Sequence, residues 1–367
     1  MWNFLKQFRY FDLPLLIIML LVGAGGLALI YSSSISLDGS AGGFWRQAVF
    51  FAVGLLGYLF LSFYDYHSLA KQNRLIYLAL VAVLAYLLIF GSIIRGGRRW
   101  IDLSFFRLQP AEFAKLIIIL GLARLLYLKR GQINSVKQLI LSFIYVLIPM
   151  LLILVEPDLG SAIVLLALWI GILLISPIQK KYLLAIFLGF ALVSGVAWKF
   201  FLKDFQRDRI LVFLNPELDP RGRGYNVRQA TIAVGSGQIF GSGLGKGLQT
   251  QNKFLPEQQT DFAFAAAAEQ VGFVGTGALL GLYLFMLGRL LLVAKRAKDD
   301  LGMYLAAGVF FLIFCHVVIN AGMNLGLLPV TGIPLPLISA GGSSMLVTFL
   351  ALGVAQNVSL QSKALRF

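Results

Sequence analysis

The stretch Phe254–Glu269, FLPEQQTDFAFAAAAE, joins a long polar segment to a hydrophobic one. It places Asp261 where water is expected to meet a membrane, with Glu257 before it and Glu269 about two helical turns after it. A charge inside a bilayer costs about 2.5–3.5 kcal/mol on insertion scales, so Glu269 is expected to face a polar cavity. Glu257 and Asp261 are either a solvated acidic end that favours the start of a helix or functional carboxylates.

The composition of the whole chain is that of an integral membrane protein. Of its 367 residues, 59% are hydrophobic and 13% are charged, whereas soluble domains are about half apolar and a quarter charged. The net charge of +15 suggests nucleic acid at first sight, but the basic residues lie mostly in short segments between apolar stretches, which indicates membrane topology instead. The lone Cys315 excludes an internal disulfide framework.

Windows of about 20 apolar residues predict an all-α polytopic membrane protein with ten transmembrane helices. The predicted spans are Leu13–Ser33, Ala48–Phe63, Leu75–Ile94, Ala111–Leu128, Gln138–Glu156, Gly160–Pro177, Tyr182–Phe200, Phe262–Val293, Tyr304–Asn324 and Gly341–Leu360. The first run is long and many more follow it, so we interpret it as an uncleaved helix and not as a signal peptide. Residues 1–367 are expected to form a single membrane domain.

The distribution of lysine and arginine predicts the orientation of the spans. Sixteen of these residues lie in the terminal segments and in one set of connections, whereas the short loops on the opposite side hold five. The five are Arg46, Arg95, Arg98, Arg99 and Arg107. Because cytoplasmic segments are enriched in basic residues, both termini are expected in the cytoplasm, which agrees with an even number of spans.

Segment 201–261, between the seventh and eighth predicted spans, is expected to be a long outward-facing loop. It holds eight lysines and arginines, among them Arg207, Arg209, Arg223 and Lys246. Long loops cross the membrane largely regardless of charge, so these residues do not contradict the topology. They are either solvated, or attracted to anionic headgroups, or they bind a phosphate-bearing substrate, because clustered arginine matches phosphate oxygens.

The glycine-rich part of this loop, GSGQIFGSGLGKG at Gly235–Gly247, does not match a nucleotide-binding motif. A P-loop ending at Lys246 would need Gly in place of Phe240 and Ser or Thr in place of Gly247. The dinucleotide fingerprint also fails, because Lys246 stands where its third glycine belongs. The glycines are therefore expected to permit tight turns or a close approach of the backbone to a ligand.

Several ionisable residues fall within or at the ends of the predicted spans. Glu112 and Lys115 share one face of the fourth span, and Glu156 and Asp158 lie where the fifth ends. Together with Glu269 they would cost about 10 kcal/mol if none were paired. They are expected to face one another, water or a polar ligand. Internal ion pairs, for example Lys115 with Asp158, and a functional cavity are both compatible with the sequence.

The remaining polar residues of the spans predict neither a metal site nor a nucleophilic triad. His316 has no second His or Cys at ligand spacing, so we interpret it as a packing histidine. Asn320 and Asn324 are expected to hydrogen-bond to neighbouring helices. Segment 326–344, GLLPVTGIPLPLISAGGSS, cannot be a continuous helix because of its prolines. An irregular segment at membrane depth must be buried in protein or line a cavity.

Several stretches together resemble one family, the SEDS proteins of bacterial shape, elongation, division and sporulation. They are RRWIDL (98–103), QPAEFAK (109–115), EPDLGSA (156–162), DPRGRGYNVRQATIAVGSG (219–237), FLPEQQTDFAF (254–264) and NLGLLPVTGIPLPLISAGGSS (324–344). The resemblance covers nearly the whole chain, in the same order and with ten spans. PVTGIPLP (329–336) and the short termini are similar to the RodA elongation branch rather than to the FtsW division branch.

The resemblance implies a peptidoglycan glycosyltransferase of the bacterial cytoplasmic membrane that polymerises lipid II on the outer face during cell elongation. It also implies a partner, a class B penicillin-binding protein that crosslinks the strands. By the same resemblance Asp261 is the catalytic residue, and Glu112, Lys115 and Asp158 match polar cavity residues of the family. No nucleic acid is expected as a partner.

The chemistry of the residues agrees with this implied reaction. Asp261 can serve as the base or hold a divalent cation, and the cations of the loop can neutralise a departing pyrophosphate. No cofactor motif is evident. The residues expected to bind substrate or line the cavity are Glu112, Lys115, Glu156, Asp158, Glu257, Arg207, Arg209, Arg223 and Lys246.

Two other functions remain open at this point. A flippase of lipid-linked cell-wall precursors would also use ten spans, intramembrane ion pairs and a cationic loop. It needs charged partners through the bilayer, whereas a polymerase needs a carboxylate at the outer surface. A non-catalytic scaffold for the penicillin-binding partner would leave the buried charges without a purpose.

Overall fold

A computed structural model describes residues 10–38, 41–94, 97–102, 106–129, 135–179, 181–189, 195, 204–220 and 222–364. Long helices dominate this part of the chain. They are α1 (Leu13–Asp38), α2 (Gly42–Phe63), α3 (Tyr66–Phe90), α4 (Pro110–Leu128), α5 (Val136–Val155), α6 (Leu159–Ile175), α7 (Asp204–Leu214), α8 (Arg223–Ser236), α9 (Leu248–Gln251), α10 (Ala263–Lys295), α11 (Asp300–Asn324) and α12 (Gly342–Ala364). Residues 181–189 are also helical, and Pro216–Leu218 form a short 3₁₀ helix.

Capping side chains set where several of these helices begin. Asp65, Ser135, Asp158 and Asp299 precede α3, α5, α6 and α11, and each accepts a hydrogen bond from a backbone amide of the first turn. Those amides have no partner within the helix, so the caps stabilise the helix starts. The cap at Asp65 explains why α3 begins well before the apolar window predicted from Leu75, since its first turns are polar.

Seven helices of the described chain are long and apolar enough to cross a membrane, namely α1, α2, α3, α5, α10, α11 and α12. Helix α6 is apolar but has only 17 residues, and α4 carries Glu112, Lys115 and Arg124 within 19 residues. Most of the seventh predicted span, Tyr182–Phe200, lies outside the described residues. The helical multi-pass architecture is confirmed, and the count of ten stays a prediction.

A small antiparallel sheet follows α3. Its strands, in spatial order, are β1 (Ser92–Ile94), β2 (Gly97–Asp102) and β3 (Arg107–Leu108). The extended backbone of Gly91 ends α3, so the end of the predicted span Leu75–Ile94 is a strand and not a helix. This sheet holds the only strands within the described residues.

Helices α11 and α12 form the centre of the bundle. Buried residues make up 89% of the apolar window of α12 but only 22% of that of α3, which places α12 inside and α3 at the periphery. Helix α12 packs along α2, and α11 packs against α4, α6 and α10. Helix α4 contacts α11 directly, and its charged residues Glu112 and Lys115 are buried, whereas Arg124 is half-buried.

The glycine-rich segment 238–243 supplies hydrogen-bond partners for the backbone of α10 where that helix is interrupted. Gly272 has a left-handed φ of +67°, which interrupts the helix. A side chain at Gly241 would collide with the backbone of Gln270. The lost hydrogen bonds are replaced by Ser242 N to Glu269 O at 2.9 Å, Gly243 N to Gln270 O at 3.0 Å, Phe273 N to Gln238 O at 2.8 Å and Val274 N to Ile239 O at 3.0 Å. The glycines thus serve a close backbone approach, and their partner is the chain's own helix.

The Glu269 carboxylate is hydrogen-bonded within the fold. Its buried carboxylate accepts hydrogen bonds from the backbone amides of Gln249 at 2.7 Å and Thr250 at 3.0 Å. These amides lie at the start of α9, where an anion is favoured. Glu269 therefore attaches segment 201–261 to α10 by hydrogen bonds. It does not line the cavity described below.

Candidate active site

Asp261 lies in a tight turn that precedes α10. Buried Leu255 and Phe262 anchor the two ends of this turn in a small apolar cluster. The Glu257 carbonyl accepts the amides of Thr260 at 3.0 Å and Phe262 at 3.2 Å. The Glu257 carboxylate accepts the Thr260 hydroxyl at 2.9 Å. The turn is thus held by its own hydrogen bonds, with Asp261 partly exposed at its end.

A polar stripe on α11 holds the backbone of Asp261. His316, Asn320 and Asn324 follow one another at intervals of four residues, which places them on one helix face. The amides of Asn320 and Asn324 each donate to the Asp261 carbonyl at 3.0 Å, and Asn320 also donates to the Ile333 carbonyl at 2.8 Å. Asn324 also accepts the backbone amide of Ala265 in α10 at 3.0 Å, which is the expected bond to a neighbouring helix, whereas the Asp261 and Ile333 carbonyls belong to non-helical segments.

A cavity of about 730 Å³ lies beside Asp261. Four parts of the chain contribute to its walls, within residues 43–50, 100–112, 253–261 and 332–344. Its charged lining residues are Arg46, Asp102, Arg107, Glu112, Lys253, Glu257 and Asp261. The cavity therefore combines carboxylates with cations, as a site for a polar and anionic substrate requires.

The proline-rich segment 329–336 forms part of this cavity wall. Ile333 and Leu335 are buried, and Gly332 and Pro334 line the cavity. The Tyr283 hydroxyl donates to the Pro336 carbonyl. The segment is thus irregular, buried and cavity-lining, as its prolines predict.

Lys115 and Glu112 form a buried ion pair. The distance from Lys115 Nζ to Glu112 Oε1 is 2.5 Å, and the two residues are 1% and 4% exposed. Glu112 lines the cavity, whereas Lys115 lies behind it. The pair leaves no buried charge of this helix uncompensated, which a low-dielectric interior demands.

Asp158 does not pair with Lys115, contrary to one of the pairings that the sequence allowed. Its carboxylate accepts the backbone amide of Ser161 at 3.0 Å, the Ser161 hydroxyl at 2.9 Å and the Gln109 amide at 2.9 Å. The reason is its position at the start of α6, where helix amides stabilise an anion. Asp158 reaches the cavity only through Gln109, which lines it.

Glu156 lies in the turn between α5 and α6, outside the cavity wall. Its carboxylate oxygens are buried and have no hydrogen-bond partner among the described residues. Burial, and to a smaller extent the nearby Asp158 carboxylate, raise the pKa of Glu156 to about 8, against the opposing effect of Arg99. Arg99 instead binds the carbonyls of Glu156 and Pro157 at 2.7 and 2.6 Å.

The family of the chain follows from its sequence and fold together. The family described as "Cell cycle protein", which groups FtsW, RodA and SpoVE, matches residues 12–364. The chain belongs to this family. It is 36% identical to the peptidoglycan glycosyltransferase MrdB of Escherichia coli (strain K12), over 79% of this chain and 78% of that protein. It is 31% identical to the peptidoglycan glycosyltransferase RodA of Treponema pallidum (strain Nichols), over 95% of this chain and 97% of that protein.

Solved structures resemble the chain over nearly its whole length. A chain of a peptidoglycan synthase complex that coordinates polymerization and crosslinking superposes with a TM-score of 0.81 at 31% identity, covering 96% of this chain and 98% of that one. The crystal structure of RodA from Thermus thermophilus gives a TM-score of 0.72 at 28% identity, with the same coverage. The chain is thus a RodA-type protein in sequence and in fold.

The cations that line the cavity of this RodA-type chain differ from those expected. Arg207 is half-buried on α7 and Lys246 is exposed, and neither lines the cavity. The side chains of Arg209 and Arg223 lie outside the described residues. The lining cations are Arg46, Arg107 and Lys253.

Two of these cations, Arg46 and Arg107, carry a signal in the sequence. Arg46 and Arg107 belong to the five basic residues of the short loops that are predicted to face outward, where the positive-inside rule disfavours them. Each is therefore an exception to the topology pattern that calls for another explanation, and the cavity supplies it. Lys253 carries no such signal, because long loops do not follow the rule.

Proposed function

We propose that this RodA-type chain is a peptidoglycan glycosyltransferase that polymerises lipid II into glycan strands during cell elongation. The observation that carries the proposal is one cavity that is lined by the carboxylates of Asp261 and Glu112 and by the cations Arg46, Arg107 and Lys253. Polymerisation needs a base near the attacking hydroxyl and positive charge near the departing pyrophosphate, and this cavity offers both. The relatives named above are glycosyltransferases of the same kind.

The proposed reaction is a single displacement at the anomeric carbon of the donor sugar. The acceptor hydroxyl oxygen forms a bond to that carbon, and the bond from the carbon to the lipid pyrophosphate breaks. The hydroxyl proton passes to Asp261, and the cavity cations stabilise the negative charge on the leaving pyrophosphate. Within the described residues no group of three or more His, Cys, Asp or Glu could hold a metal. A divalent cation at Asp261 would therefore need further ligands from substrate or water.

A class B penicillin-binding protein is the proposed partner. The solved complex that this chain resembles coordinates polymerization with crosslinking. Glycan strands become useful for a cell wall only when a second activity links them, so a polymerase gains from a crosslinking partner held beside it. The proposal predicts that the partner co-purifies with the chain from membranes.

The cavity is proposed to open on the outer face of a bacterial cytoplasmic membrane, with both termini in the cytoplasm. The basic residues of the connecting segments support this orientation. Single cysteines in a Cys315→Ala background test it with an impermeant thiol reagent on intact cells. Asn252 is an exposed site in the turn before Asp261, whereas Gln258 is buried and unsuitable.

We expect Asn252→Cys to be labelled in intact cells and Lys363→Cys to be labelled only after the cells are permeabilised. Labelling of Lys363→Cys but not of Asn252→Cys in intact cells would place the cavity on the cytoplasmic side. The substrate and the reaction proposed here would then be excluded.

A further inference from the structure

We infer that His316 is a positioning residue that ties the Lys115–Glu112 pair to the proline-rich segment 329–336. The inference rests on the proposed function, since it concerns the same cavity. His316 itself does not line the cavity. It acts through its neighbours, and the pattern of hydrogen bonds around it shows how.

His316 uses both of its ring nitrogens in the protein interior. It is 3% exposed, and its Nδ1 lies 3.0 Å from the carbonyl oxygen of Pro334. Its Nε2 lies 3.2 Å from Lys115 Nζ. Both ring nitrogens of a buried histidine need polar partners, and here the two contacts join α11 to the proline-rich segment 329–336 on one side and to α4 on the other.

The two partners determine which ring nitrogen carries the proton. The Pro334 carbonyl can only accept a hydrogen bond, so Nδ1 must be the donor. The Lys115 ammonium can only donate, so Nε2 must offer its lone pair. His316 is therefore the neutral Nδ1–H form. A second positive charge beside the buried ammonium would be strongly unfavourable.

The result is a continuous hydrogen-bonded chain from one cavity wall to another. It runs from the Pro334 carbonyl through His316 and Lys115 to the Glu112 carboxylate. Pro334 and Glu112 both line the cavity. Asn320, one turn further along α11, holds the backbone of Asp261. One face of α11 thus sets the positions of Asp261 and Glu112 relative to each other.

Replacement of His316 by leucine would preserve apolar volume but remove both hydrogen bonds. The Pro334 carbonyl and one Lys115 N–H would then lack these partners. Because an unsatisfied buried polar group is costly, both groups are expected to shift toward other hydrogen-bond partners. Since the pair and the segment belong to the cavity, their displacement should affect the rate of the chemical step more than the binding of substrate.

The first test reads the proton on the ring and needs no activity. The chain holds only two histidines, so ¹⁵N-histidine labelling of the full-length protein in detergent gives two ring systems, and the one missing in His316→Gln belongs to residue 316. We expect that ring to have a protonated Nδ1 and an unprotonated Nε2. A protonated Nε2 would overturn the inference, whether or not the protein polymerises lipid II.

The second test is kinetic and uses lipid II with the full chain. His316→Leu should lower kcat about tenfold or more and change KM by less than about threefold. His316→Gln should recover kcat to within about threefold, because its amide can direct N–H to Pro334 and its oxygen to Lys115. His316→Asn is shorter and can serve only Pro334, so its kcat should stay low.

The inference stays testable even if His316→Leu fails to fold, because the kcat of His316→Gln can then be compared with the kcat of His316→Asn. A His316→Leu protein that polymerises at the unmodified rate would overturn the inference, and so would a Gln variant as slow as the Asn variant. If the unmodified chain made no polymer, the proposed function would fail, and the ring protonation would still test the contacts of His316.

Discussion

Asp261→Asn is expected to reduce lipid II polymerisation about 10²- to 10⁴-fold, the range typical for loss of a general base. The substitution keeps the size of the side chain but removes its negative charge and basicity. The fold should be preserved, because Asn320 and Asn324 bind the backbone carbonyl of Asp261 and not its carboxylate. The measurement is the initial rate of glycan formation by purified protein, with its thermal stability recorded alongside.

Glu257→Gln is the matched control for this experiment. Glu257 lines the same cavity four residues earlier, and a glutamine oxygen can still accept the Thr260 hydroxyl. Its effect on the rate should be clearly smaller than that of Asp261→Asn. A well-folded Asp261→Asn protein that polymerises at the unmodified rate would remove Asp261 from the mechanism, and the flippase or scaffold would become the better account.

Lys115→Met should have the second largest effect, on stability as well as on activity. Lys115 is 1% exposed, and its loss leaves the buried Glu112 carboxylate without its cation and His316 without its donor. Breaking one side of a buried ion pair costs about 3–5 kcal/mol. We expect a lower midpoint of thermal unfolding and strongly reduced polymerisation.

Two variants control for the Lys115 result. Lys137→Met removes an exposed lysine at the start of α5 and should leave stability and rate nearly unchanged. Lys115→Met combined with Glu112→Gln removes both charges of the pair and should recover part of the stability but not the rate. Normal stability and a normal polymerisation rate in Lys115→Met alone would show that the ion pair contributes to neither.

The long helices were predictable because apolar windows of membrane length are a strong signal. The residues at which the helices begin and end were less predictable. The cap at Asp65 begins α3 nine residues before the predicted span, since a polar first turn is invisible to hydropathy. The short strands after Gly91 were missed for a similar reason, because a sheet of few residues has no periodicity to detect.

For the cavity, the sequence indicated the carboxylates better than the cations. Asp261 stood out because it lies where a polar loop meets an apolar span, and Glu112 and Lys115 because charge within a span is costly. Arg207 and Lys246 were assigned to the cavity because they share a loop with Asp261. Which cations face a cavity depends on how distant segments pack, and here Arg46 comes from the start of α2 and Arg107 from β3.

The role of His316 could not be read from spacing at all. Its partners are 201 residues away at Lys115 and 18 residues away at Pro334. A histidine in an apolar span is compatible with simple packing until its neighbours are known. The three-dimensional arrangement supplies both partners, and with them the direction of each hydrogen bond.

The most direct test of the central claim is to incubate the purified chain with lipid II in detergent, where no two sides of a membrane exist. A flippase has nothing to transport there, whereas a polymerase still forms glycosidic bonds. We predict glycan polymer from the unmodified chain with a class B penicillin-binding protein present, and its loss when Asp261→Asn replaces the unmodified chain in the same mixture. No polymer from the unmodified chain, with or without the partner, would contradict the account.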